Sequence, residues 1–180
     1  MVTNFEASAS DWDSWIREMQ RLVQEFVFGF ERIHGFSPGE HEVVRVSSSE
    51  GAEAVDALSA AGIRGDLLGY YTKLGAVTLP DLESGIWIDD APSVIEGIAA
   101  GNYPTRLEGS LQDSVTVFAT DGGGAMFAVS ATKGCVYRLS LGALIGSTYE
   151  VDDAGWSVAA DDLWSFMDQL RNDLAEAVGS

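Results

Sequence analysis

The chain is poor in the residues that most chemistry and most stapling require. It has one cysteine, Cys135, two histidines and only 10 Lys and Arg in 180 residues. One cysteine excludes an internal disulfide, which fits a reducing compartment, and its place in a strand-like run marks it as a small core residue rather than a nucleophile. Ten basic residues against 28 acidic ones leave a net charge of −18. That balance argues against nucleic-acid or anionic-membrane binding, because phosphate contacts need Lys and Arg. The N-terminus lacks the basic region and apolar run of a signal peptide, and no apolar stretch is long enough to span a bilayer. The expectation is a cytoplasmic protein. Two histidines and one cysteine do not assemble a zinc signature, a Ser-His-Asp triad or a Cys-His pair, so neither a metal nor a cofactor is expected. The two histidines, in His34–His41, are separated by Gly and Pro and follow no ligand spacing.

What is present is an apolar skeleton. A chain of this length buries roughly 70% of its unfolded surface as one domain without staples. The most regular stretch is Ser114–Leu139. Val115, Val117 and Ala119 fall on one face of a strand and Thr116, Phe118 and Thr120 on the other. Asp121-Gly122-Gly123-Gly124 reads as a hairpin loop, Ala125–Ser130 as the returning strand, Lys133-Gly134 as a second turn, and Cys135–Leu139 as a third strand with Cys135, Tyr137 and Leu139 on one face. The glycine run is not a phosphate loop, since it leads into a strand and follows an acid.

Before this meander the pattern is helical. Residues 1–9 read as a loose terminus, and Ser10 as the N-cap of a long amphipathic helix. Its stripe runs through Trp12, Trp15, Ile16, Met19, Leu22, Val23, Phe26, Val27 and Phe30 to a stop at Gly35, roughly 35 Å in all. Such a stripe packs on a core, or serves as a docking or dimer face. Glu42–Val46 is a short strand, Ser47–Glu50 a capping box opening a second helix with Val55, Leu58 and Ala61 inward, and Asp66 the start of a third that stops at Gly75. Gly85–Ile88 is a strand. Asp89-Asp90-Ala91-Pro92 opens a fourth helix with Val94, Ile95 and Ile98 inward. Thr148–Val151 is a strand, Asp152–Gly155 a turn, and the last helix begins near Ala159 or Ala160 with Leu163, Phe166, Met167, Leu170, Leu174 and Ala177 as its stripe. The fold class is α+β: a central antiparallel sheet of about four to six strands packed by N-terminal and C-terminal helices.

Glu53–Tyr71, EAVDALSAAGIRGDLLGYY, resembles the opening of the SUKH superfamily, the cell-wall-regulator-like domains widespread as bacterial toxin-immunity proteins. Gly62-Ile63, Asp66-Leu67 and Tyr70-Tyr71 match, and Arg64-Gly65 stands where the family has Leu-Pro. Phe118–Gly124 with Phe127-Ala128-Val129, then Gly134–Tyr137, resemble the central strands, and Ala159–Val178 the closing helix. The resemblance covers about Glu53–Val178, dividing the chain into an N-terminal helical extension at 1–46 and a SUKH-like unit at 47–180. It implies a binding module without catalysis that neutralises a protein partner, here a basic toxin domain such as a nuclease. Interfaces favour Trp and Tyr while carboxylates steer association, so the expected binding residues are Trp87, Asp89, Asp90, Tyr103, Asp152, Asp153 and Trp156. Two other classes compete. Acid–base catalysis by Asp89/Asp90 or Asp152/Asp153 meets the objection that neighbours in a strand face opposite ways and that caps and loops already occupy these residues. The third reading is a scaffold that forms a homodimer through its aromatic first helix.

Overall fold

The computed structural model describes residues 7–179. It is an α+β molecule in which five helices flank a mostly antiparallel sheet. Helix α1 (Ala9–His34) leads into β1 (Glu42–Arg45), then α2 (Ser48–Ala60), α3 (Asp66–Tyr71), β2 (Leu74–Leu79), β3 (Ile86–Ile88) and α4 (Ala91–Ala99). Strands β4 (Arg106–Gly109), β5 (Asp113–Asp121), β6 (Met126–Ser130), β7 (Val136–Leu139), β8 (Ala143–Ile145), β9 (Thr148–Val151) and β10 (Trp156–Ala160) follow, and α5 (Leu163–Gly179) closes the chain. The sheet has ten strands among the described residues, against the four to six expected. The excess consists of short strands, three to six residues long, whose pairing partners rather than their own alternation define them.

Strand β5 is the junction. It pairs with β3 and β4 along one side and with β6 on the other. Both its faces are buried. Phe118 and Ala119 lie in a core with Phe127, Val129 and the stripes of α1 and α5, while Val115 and Val117 lie in a second core with Ala128, Tyr137, Leu107 and Tyr149. A register shift between Val117 and Ala119 moves Ala119 out of the face it was expected to share with Val115 and Val117. Beyond β4 the sheet continues through β9, the one parallel pairing among the described residues, to β8 at its end.

The long first helix is a core element. Trp12, Trp15, Ile16, Met19, Leu22, Val23, Phe26 and Phe30 are buried, and Trp15 donates its indole N–H to the Met167 carbonyl of α5 at 2.9 Å. Val27, expected in the stripe, is exposed. The cap is Ser8, not Ser10: Ser8 and Asp11 form a reciprocal capping box. Of the expected loose terminus, residues 1–6 lie outside the described residues. Gly35 ends α1 in the left-handed conformation, as expected. The Ser47–Glu50 capping box and the Asp90 cap of α4 also form as read, and the α5 stripe is buried from Leu163 to Leu174. In α2, Leu58 is buried but Ala61 is exposed.

Two further helix ends differ from the expectation. The third helix stops at Tyr71 and the chain becomes β2 by Leu74, because Gly75 faces the Val44 side chain closely and serves strand packing rather than helix termination. Ala159 and Ala160 belong to β10, and Asp162 begins α5 by accepting the Ser165 N–H at 2.6 Å.

The meander turn works as a built hairpin. Asp121 Oδ1 accepts the N–H groups of Gly123 and Ala125, and Oδ2 accepts from Arg138 at 2.8 Å. At Gly122 a Cβ would stand 2.1 Å from the Ser84 carbonyl, so only glycine lets the turn dock on the β2–β3 loop. At the other end of β5, buried Asp113 accepts from Ser130 Oγ (2.6 Å), Thr132 Oγ1 (2.8 Å), Tyr137 OH (3.0 Å) and the Ser114 N–H (2.8 Å), tying β5, β6 and β7 together. Burial alone would raise its pKa, but these four donors outweigh it and hold the carboxyl below the ordinary value.

Asp113→Ala leaves three hydroxyls, those of Ser130 and Tyr137 buried, without their acceptor and should cost about 3 kcal/mol at pH 7 in urea unfolding. A depressed folded pKa gives stability that is full above the unfolded value of about 3.9 and fades as pH falls through the folded one. The gap between wild type and Asp113→Asn should therefore narrow below pH about 4; a gap that stays constant with pH would contradict this account.

Candidate functional site

A groove of about 740 Å3 lies between α2 and α4 above the β1–β2 pair. Its floor is Val44, Val46, Leu74, Gly75 and Ala76, and its walls are Ala54 and Ala57 of α2 and Pro92 and Ile95 of α4. The groove exists because its walls are short. Alanine at 54 and 57 and glycine at 75 leave unfilled the space that larger side chains would occupy. Around this apolar trough stand four carboxylates: Glu50 and Glu53 one turn apart on α2, and Asp90 and Glu96 on α4. None of the described residues lining it is Lys, Arg or His.

Of the expected residues Asp90 lines the groove, and Asp89 and Tyr103 form a hydrogen-bonded pair beside it. Asp90 caps α4, its Oδ1 accepting the Ser93 N–H at 2.9 Å. Asp89 sits one residue earlier and half-buried, and its Oδ2 accepts from Tyr103 OH at 2.5 Å. Tyr71 OH, from the groove's inner wall, donates to the Asp89 carbonyl at 2.7 Å. Tyr103 reaches this position because Gly97 has no side chain: a Cβ there would meet the Tyr103 ring at 2.4 Å. Burial pushes the Asp89 carboxyl above the ordinary range; the Tyr103 bond opposes the shift and the Asp90 charge adds to it. The Tyr103 hydroxyl is correspondingly raised, first by burial and then by Asp89.

The other four expected residues lie elsewhere. Trp87, in the middle of β3, packs its ring over Gly85 and beside Gly122. Asp152 and Asp153 are exposed in the β9–β10 turn, where Asp152 accepts the Ala154 N–H at 3.0 Å. Trp156 packs edge-on against Tyr137, with ring centres 5.7 Å apart, and donates to Ser110 Oγ at 3.1 Å. Asp152 and Asp153 stand in a turn, Trp156 packs against the second core and Trp87 lies in β3, so these four do not join Asp89, Asp90 and Tyr103. Conversely Glu53, Ala54, Ala57 and Glu96 of the groove escaped sequence reasoning, and Glu50 and Ile95 were read only as a capping residue and an inward helix residue. The signal available was Glu50-x-x-Glu53 beside Ala54 and Ala57, an acidic and small-residue helix face.

Chemically, the trough offers apolar contact in its centre and negative charge at its rims. Among the described residues no group of three or more His, Cys, Asp or Glu side chains is placed to hold a metal ion, and no helix is long and apolar enough to cross a membrane. No protein-family model matches the chain, and no curated protein matches it.

The Tyr103 bond favours the Asp89 carboxylate, so Tyr103→Phe should raise the Asp89 pKa further, read by carboxyl-carbon NMR titration. A raised folded pKa gives stability that is present below the unfolded value and lost as pH rises through the folded one. Wild type should therefore lose stability relative to Asp89→Asn as pH climbs from about 4. An unchanged or lowered Asp89 titration in Tyr103→Phe would refute the arrangement.

Proposed function

We propose that this protein is a non-catalytic binding module that neutralises a basic protein partner, in the manner of a bacterial immunity protein acting on a toxin domain. The observation that carries the reading is the groove between α2 and α4, an apolar floor ringed by four carboxylates with no cation among its described lining residues. Such a surface attracts a positively charged partner at long range and holds apolar anchors at short range. A net charge of −18 extends the same field over the whole molecule. The resemblance of Glu53–Tyr71 to the opening of SUKH domains agrees with the assignment, since that stretch supplies Glu53, Ala54, Ala57 and Tyr71 to the groove. A partner that binds nucleic acid through Lys and Arg would present the complementary charge, and occupying that surface would block its substrate. The action would take place in the cytoplasm.

The competing scaffold reading used the aromatic face of α1 for self-association. Trp12, Trp15, Phe26 and Phe30 are spent in the intramolecular core, which leaves that face no aromatic stripe to offer. Catalysis is disfavoured because the paired acids Asp89/Asp90 are engaged as a tyrosine acceptor and a helix cap, and Asp152 as a turn acceptor.

The test is affinity capture from the source cell's lysate with wild type and the double variant Glu53→Lys/Glu96→Lys in parallel, washed at low and then high salt. Wild type should retain one basic protein at near-stoichiometric yield, release it as salt screens the charges, and suppress its activity after elution. The variant should retain at least about tenfold less of it. Equal retention by both proteins, or no basic protein on wild type, would overturn the assignment.

A further inference from the structure

Strand β8 lies at the far end of the sheet, paired only with β9, and all three of its residues are exposed. Sheet edges invite pairing with another strand, and proteins blunt them with charge, proline, bulges or cover. The other two edges of this sheet are blunted. At β1, Gln20 of α1 donates to the Val43 carbonyl at 3.1 Å, and Arg45 is ion-paired with Asp13. At β10, the register shifts between Val158 and Ala160, and α5 packs against the strand. Strand β8 has none of these devices. Residues Ser140–Thr148 read SLGALIGST, with no charge and no proline, and Leu141, Leu144 and Ile145 hold 65%, 37% and 60% of their surface in water. A register of Ala143, Leu144 and Ile145 against Glu150, Tyr149 and Thr148 proceeds without a bulge.

We propose that β8 is a homodimer seam, pairing antiparallel with β8 of a second copy of this chain about a twofold axis at Leu144. The occupant follows from charge. Two copies at −18 repel each other, so a seam between them is least opposed where the apposed strands add no acid of their own, and β8 with its flanks is a charge-free run of nine residues in a chain with 28 acids. A basic partner gains nothing from a neutral strand, whereas an isologous seam has to be self-complementary, and a short apolar segment centred on one residue is so by construction. Pairing would satisfy the outward backbone groups of β8 and cover its three exposed aliphatic side chains. This interface is separate from the groove between α2 and α4 and does not rest on the toxin-binding reading.

The salt response separates the two. Binding of a basic partner weakens as salt rises; pairing of two acidic copies strengthens, because screening lowers their repulsion. Sedimentation of the full chain over a concentration series at about 50 mM and about 500 mM NaCl should show a monomer–dimer equilibrium that tightens with salt. Leu144→Lys, which places two ammonium groups face to face at the axis, should weaken the dimer at least about tenfold with an unchanged Tm, since Leu144 is partly exposed in the monomer. Opposed residues in a hydrogen-bonded antiparallel pair lie about 5.5 Å apart, within disulfide reach. Leu144→Cys should therefore give a disulfide-linked dimer on mild oxidation, while wild type, whose only cysteine is buried Cys135, and Ser157→Cys on exposed β10 should not. A monomer under all these conditions, larger disordered aggregates in place of a dimer, a dimer untouched by Leu144→Lys, or equal cross-linking through Ser157→Cys would each overturn the proposal.

Discussion

Strand β5 buries apolar side chains on both of its faces. It carries Val115 and Val117 into one core and Phe118, Ala119 into the other, so the chain has to supply a cover for each side. On one side the covers are α1 and α5, long helices with continuous apolar stripes. On the other they are the short strands β4 and β9, which add Leu107, Tyr149 and Val151. The two ends of β5 are pinned by buried or half-buried aspartates: Asp113 gathers hydroxyls from β6, β7 and the loop between them, and Asp121 holds the glycine turn and Arg138. Neither acid is a spare charge available for chemistry. Each has exchanged its water for fixed donors, and both stay ionised below the ordinary aspartate value for that reason.

The groove is a consequence of how the remaining elements finish the sheet. Helices α2 and α4 flank the β1–β2 end with alanines and a proline where α1 and α5 use Trp, Phe and Leu. The first pair therefore fails to fill its space while the second pair closes its own. Among the described residues lining the groove there is no cation to neutralise the field of the rim carboxylates. Asp89 shows the local cost of this arrangement: burial and the neighbouring Asp90 raise its pKa even though Tyr103 donates to it. A cation entering from outside would relieve that cost, which is why an acid-ringed trough and a basic partner belong together physically.

The elements that were legible in the sequence share one property: their signal is local. The α1 and α5 stripes repeat over many turns, the capping boxes at Ser47 and the Asp90 cap are complete within four residues, and the meander from Ser114 to Leu139 announces its turns with glycine. Strands β2 and β10 were hidden because pairing with β1 and β7, far off in the chain, decides them, and β8 because three apolar residues show no alternation. Gly75 looks like a helix stop until Val44 is seen packed against it, and Ala159-Ala160 looks like a helix start until Val136 is seen opposite Ala160. The site divides in the same way. Asp90 and the Asp89–Tyr103 pair were visible as acids and aromatics near a helix start. The trough itself was invisible because it is made of missing volume at Ala54, Ala57, Gly75 and Ala76, brought together from α2 and β2. Trp87 and Trp156 were read as anchors for their residue type; both are half-buried, Trp87 over Gly85 and Trp156 against Tyr137, away from the trough.

The central claim is that the trough between α2 and α4 receives a positively charged, partly apolar protein surface. The most direct measurement is methyl NMR of Ala54, Ala57, Ala76 and Ile95 during titration with an amphipathic helical peptide of Leu and Lys, alongside a matched peptide of Leu and Glu. The account predicts saturable shifts at these four methyl sites with the Lys peptide, diminishing as salt is added, and none with the Glu peptide. Shifts centred on the Asp152–Trp156 turn, or an equal response to both peptides, would contradict it.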